Sequence, residues 1–162
     1  IPHIDPIGSI FLPLLLAISN SPLFFGWAKP VPYNPYNLRP GRFSEAIVAG
    51  AGPFSNLVIA VLAGTVIRLN LFAGEVNSIL FLIVAVNVML FLFNLIPIPP
   101  LDGSKVLESL LPRSLQYGYN AWRARMESNP FLGMGLIVLL VLLGGSAFGS
   151  AIFSLASLIA GA

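Results

Sequence analysis

The sequence has no cysteine, a single histidine and few charges, and each shortage excludes something. Without cysteine there can be no disulfide, no thiolate nucleophile and no Cys-type zinc site. One histidine, His3, cannot furnish a catalytic zinc centre from this chain alone, because such centres take three protein ligands and keep one position open. Charged residues are 9% of the 162, against about 25% in soluble domains. Hydrophobic residues are 57% and the mean hydropathy is +0.91, which places the chain among integral membrane proteins. A formal net charge of +2 on scattered sites offers no surface for nucleic acid. There is no internal repeat and no low-complexity tail. The first residue is Ile1 rather than Met, so the sequence is expected to begin inside a longer product.

What is present is apolar runs of spanning length. Residues 46–67, the run from Val76 to about Asn94, and residues 131–162 each read as a membrane helix. Residues 7–25 form a fourth and weaker candidate, broken by Pro13, Asn20 and Pro22. Between the first two spans, Pro30, Pro32, Pro35 and Pro40 alternate with Trp27, Tyr33 and Tyr36. Proline at that density predicts an extended hairpin, either an interfacial loop or an edge that receives a peptide by strand addition. Residues 105–130 are the most polar part and predict a short amphipathic pair on the membrane surface. The expected fold is thus an all-α polytopic membrane protein with about four transmembrane segments, a single domain over residues 1–162. Lys29, Arg39 and Arg42 lie in one loop and Lys105, Arg113, Arg123 and Arg125 in another, against Arg68 alone in the loop between them. The positive-inside rule then puts residues 29–42 and 105–125 in the cytoplasm and 68–75 on the other side.

The third span ends in a sequence that ordinary helices avoid, Asn94-Leu-Ile-Pro-Ile-Pro-Pro-Leu-Asp-Gly. Pro97, Pro99 and Pro100 remove three backbone donors and force the residues before them out of the helical region. Irregular backbone at membrane depth survives only inside protein or along a water-filled cavity. Asp102 stands there, and an ionisable residue at a broken helix end marks a functional site by default. A second role for it is the N-cap of a helix from Ser104 to Leu111. Asn94 either bonds a neighbouring helix or donates to a substrate. Upstream, the small residues of Ala49-Gly-Ala-Gly-Pro-Phe-Ser-Asn56 predict close helix packing, with Pro53 in a first turn or at a kink. That packing leaves Asn56 without a stated partner. Gly145 and Gly149 form a GxxxG pair, read as packing; a catalytic dyad of Ser146 or Ser150 with His3 is the weaker reading.

The run from Asn94 to Gly103 resembles the second signature of the site-2 protease family of intramembrane zinc metalloproteases. Ala51-Gly-Pro-Phe-Ser-Asn56 resembles that family's AGPxxN element. His3-Ile-Asp-Pro-Ile-Gly8 and Gly26-Trp-Ala-Lys-Pro-Val-Pro32 resemble its compact bacterial and archaeal branch. The resemblance covers residues 1 to about 111 and implies zinc as cofactor in the complete protein, with Asp102 as the third metal ligand. It also implies that Asn94 positions or polarises the scissile carbonyl. Pro97 and Gly103 bound backbone suited to holding an unwound substrate, and Asn56 joins them as a candidate substrate contact. The family's HExxH is absent and is expected upstream of Ile1, so the chain alone should be inactive. The implied partners are membrane lipid and a transmembrane peptide substrate, in the plasma membrane of a prokaryote. The alternative is a transport or scaffold protein that binds an ion or solute through Asp102 and Asn94.

Overall fold

The computed structural model describes residue 41 and residues 43–161, which lie in one compact unit. The candidate span at 7–25, His3, and the proline-rich hairpin up to residue 40 lie outside the described residues. Among those described there are five helices and no strand: α1 (Ser44–Arg68), α2 (Glu75–Asn94), α3 (Asp102–Leu110), α4 (Arg113–Ser128) and α5 (Pro130–Ala160). Three of them, α1, α2 and α5, are long and apolar enough to cross a membrane. Glu45 in the first turn of α1 and Arg68 in its last oppose the helix dipole with the stabilising sign at each end. Because α1 begins at Ser44, Pro53 falls in its interior rather than in a first turn. Its missing N–H leaves the Ala49 carbonyl without its usual donor. The 31 residues of α5 would run about 46 Å at 1.5 Å per residue, more than a bilayer core of about 30 Å, so this helix must tilt or project.

The core sits where the three long helices meet, on fully buried Ala60 of α1, Val84 and Val88 of α2, and Ala156 of α5. In lipid the association of helices rests on close packing, which small residues permit. Gly64 shows how close the approach is: a Cβ there would stand 2.6 Å from Ile159 Cγ2 and 2.8 Å from the Ile159 carbonyl oxygen. The same end is tied by Arg68, whose Nε donates to the Ile159 carbonyl at 2.9 Å and whose second guanidinium nitrogen donates to that of Leu158. Those carbonyls lie in the last turn of α5, and no backbone N–H among the described residues donates to them. Outward, Leu62, Leu142 and Leu143 are more than 60% exposed, the pattern of a lipid-facing surface.

At the opposite end one cation joins three helices. Arg123 of α4 meets Glu45 of α1 at 2.9 Å, its own-helix neighbour Glu127 at 3.1 Å, and Glu108 of α3. Arg123 is only 16% exposed. Burial works against its charge, but the Glu45 hydrogen bond and the three carboxylates outweigh burial and raise its pKa further. The amphipathic pair that the sequence predicts is therefore α3 and α4, and Arg123 ties it to α1 by charge.

Candidate functional site

The site begins where α2 stops. Leu95 N–H still donates to Phe91 O and Ile96 N–H to Phe93 O, both at 3.2 Å. Pro97 has no proton to continue the ladder. Ile98 N–H turns back to Ile96 O at 2.8 Å and Leu101 N–H to Ile98 O at 2.9 Å, so residues 95–101 make a compact reversal. Leu101 is extended (φ −72°, ψ 153°), and α3 starts at the next residue.

The first turn of α3 rests on that reversal through Gly103. A Cβ at Gly103 would stand 2.6 Å from the Ile96 oxygen and nearer still to the Leu95 carbonyl. Contact this close to backbone is available only to glycine. Ser104, fully buried, donates its hydroxyl to Leu101 O at 2.7 Å, and its N–H bonds the same oxygen at 3.1 Å. These contacts place Asp102 at the first helical position, two residues ahead of the expected start at Ser104. No side-chain cap bond forms there. The N-cap role open to Asp102 in the sequence is therefore not the one it has.

Asp102 is partly buried. Burial pushes its carboxyl above the usual carboxylate range, with Lys105 pulling the other way. Its Oδ2 lies 3.8 Å from where a Cβ on Gly52 would sit, so the bare face of α1 abuts the carboxylate. Among the described residues none donates a hydrogen bond to it. The AGPxxN-like stretch and the LDG-like stretch thus meet in space. Asn56, one turn beyond Gly52 on α1, is partly buried, and its side-chain amide has no hydrogen-bond partner among the described residues. Asn94 does not reach Asp102: its Nδ2 donates to Leu90 O of its own helix at 2.9 Å. Pro97 is exposed, and its carbonyl faces α4. Beside the site an apolar groove of about 450 Å³ runs between α1 and α3, lined by Ile47, Gly50, Ala51, Phe54, Val106 and Leu110.

No three His, Cys, Asp or Glu side chains among the described residues come together as a metal site. What they supply is one carboxylate, partly desolvated and uncommitted to a described donor, at the end of a broken helix. That chemistry fits one ligand of a hard or borderline cation such as zinc.

Two residues of the site are not obvious in the sequence. Tyr119 of α4 donates from its hydroxyl to Ser104 O at 3.1 Å and stands 3.4 Å from Pro97 O. Arg123 gathers its three glutamates. Grouped by composition, Tyr119 looks like the interfacial aromatics around it. Helical spacing distinguishes it: Gln116, Tyr119, Trp122, Arg123 and Met126 are the partly buried stripe of α4, whereas Tyr117 is 86% exposed.

The fold and this site define an all-helical membrane protein with a carboxylate presented by a broken span. Residues 69–142 match the model of Peptidase family M50. A Bacillus subtilis (strain 168) protein named "Putative zinc metalloprotease YwhC" is 34% identical over 151 residues, which are 88% of this chain and 61% of that protein. Both likenesses point to peptidase family M50, the site-2 protease family, to which the chain is similar over these residues. It spans about three-fifths of the length of the relative it matches. No solved structure matches it.

Proposed function

We propose that the complete protein is an intramembrane zinc endopeptidase and that this chain supplies the carboxylate part of its metal site. The observation that supports this most is Asp102, held at the end of α2 by the Gly103 contact and faced by Gly52 of the AGPxxN-like helix. Bound zinc supplies Lewis acidity, polarising a carbonyl and making water nucleophilic near neutral pH. Asp102 ligates the metal and offsets part of its charge. Its other ligands and the general base come from an HExxH helix that this sequence does not contain. Asn94 turns its amide from Leu90 O to the substrate carbonyl, exchanging one hydrogen bond for another. A helical substrate must unwind before its amide can react, and the reversal at 95–101 offers backbone to hold it extended. The apolar groove beside Gly50 and Ala51 takes side chains of a transmembrane peptide. Asn56, Pro97 and Gly103 line or shape that path.

The purified complete protein should carry one zinc per chain and cleave a transmembrane peptide in detergent or liposomes. Chelation should stop cleavage and added zinc should restore it. Cleavage that persists in metal-free protein would defeat the reading.

We place the protein as multi-pass in the plasma membrane of a prokaryote. The helix ends sort into two groups, residues 44 and 94–128 toward one end and 68–75 with 158–160 toward the other, as the loop charges require. Cysteines introduced singly at Ser114 and Asn70 of this cysteine-free sequence should label from opposite sides with an impermeant thiol reagent, Asn70 from outside. Labelling of both from one side would show that α2 does not cross.

A further inference from the structure

The reversal at residues 95–101 lacks the support that regular structure gives itself. Its prolines donate nothing, and the Pro97 carbonyl accepts no backbone N–H among the described residues. The group that reaches it comes from outside the segment. Tyr119 places one hydroxyl between Pro97 O at 3.4 Å and Ser104 O at 3.1 Å. A phenol has one proton, so it donates to one of these oxygens at a time, Ser104 O being the shorter. The two oxygens stand at the two ends of the stretch that carries Asp102.

The hydroxyl is itself held in place. Its ring leans on Trp122, centroids 5.4 Å apart, and one turn further on α4 is fixed to α1 and α3 through Arg123. Motion of the 97–104 stretch therefore has to work against an anchored helix. An aromatic residue that served only to sit in the headgroup layer would have no need of these bonds. Tyr117, on the same helix and 86% exposed, is the example.

We infer that Tyr119 is a positioning residue for Asp102: its hydroxyl donates to Ser104 O, with Pro97 O beside it as the alternate acceptor, and so ties the 97–104 stretch to α4 and holds the carboxylate in one place. Its consequence for metal binding rests on the zinc reading above; its ordering of the stretch does not.

The test uses the complete protein as wild type, Tyr119→Phe and Tyr117→Phe. Zinc affinity is measured by competition with a chromogenic chelator, and backbone amide exchange is followed along the chain by mass spectrometry. Tyr119→Phe should weaken zinc about tenfold, the low end for losing a group behind a metal ligand. Exchange should quicken within residues 96–106 and nowhere else, at an almost unchanged melting temperature. Tyr117→Phe should match wild type in both. Unchanged zinc affinity in a zinc-binding protein overturns the inference, and so does faster exchange spread over all helices, which would make Tyr119 a general fold residue. If wild type itself binds no zinc, the protease reading falls. The exchange pattern alone then decides whether Tyr119 orders the stretch.

Discussion

Asp102→Asn in the complete protein should abolish peptide cleavage, with residual activity below about 1% of wild type, while the protein stays folded and inserted. The expected loss is chemical. A neutral amide is a poor zinc ligand, and removal of one of three protein ligands releases the metal or leaves it inert. The structure makes the experiment cleaner than the sequence did, because the Asp102 side chain forms no cap bond that the substitution would break. Electrostatics point the same way. Burial raises the Asp102 carboxyl above its ordinary pKa despite Lys105, so the fold holds its proton longer than the unfolded chain does. A raised carboxyl pKa makes stability fall as pH rises from the unfolded value through the folded one. At neutral pH in the metal-free protein, the uncharged asparagine should therefore be as stable as aspartate or slightly more so. Zinc content by atomic absorption, cleavage of a transmembrane peptide and thermal unfolding in detergent are the three measurements. A fully active Asp102→Asn protein would reduce this residue to a structural one.

Gly103→Ala should also silence the enzyme, by a different route and with Asp102 untouched. The added methyl would meet the carbonyls of Leu95 and Ile96, the latter at 2.6 Å. Both belong to backbone, which cannot swing aside as the end of a side chain can. Overfilling a packed site costs about 1–3 kcal/mol, and a backbone neighbour puts this one at the upper end or beyond. Alanine is otherwise the better helix former by about 1 kcal/mol, so the direction of the result is informative. Gly118→Ala is the control, since a Cβ there meets open space and should leave stability the same or higher. Denaturant unfolding of both variants should separate them by several kcal/mol. A stable, active Gly103→Ala protein would mean that α3 does not rest on residues 95–96.

The parts legible in sequence were those set by local chemistry. Apolar runs of spanning length gave α1, α2 and α5, and three prolines in four positions gave the end of α2. The polar pair α3 and α4 followed from composition. Where α3 begins was not legible, because it depends on Gly103 lying against carbonyls of the reversal, a tertiary contact that moves the helix start to Asp102. Pro53 was expected in a first turn or at a kink, and it lies inside α1. Of the three glutamates around Arg123 only Glu127, four residues on, has a spacing that announces the pair. The glycine at 52 was visible as a packing residue; that it faces Asp102 fifty positions later was not.

The two ends of the bundle are fastened by different physics. Far from the site, α1 and α5 are joined by van der Waals contact at Gly64 and by Arg68 on neutral carbonyls. At the site end, α4 is joined to α1 and α3 by full charges, with the Glu45 side chain 38% exposed. Dissolved ions screen the second kind of fastening and barely touch the first. Ionic strength is therefore a control that acts on one end alone: salt loosens the hold of α4 on its neighbours while the packed end of the three spans stays closed.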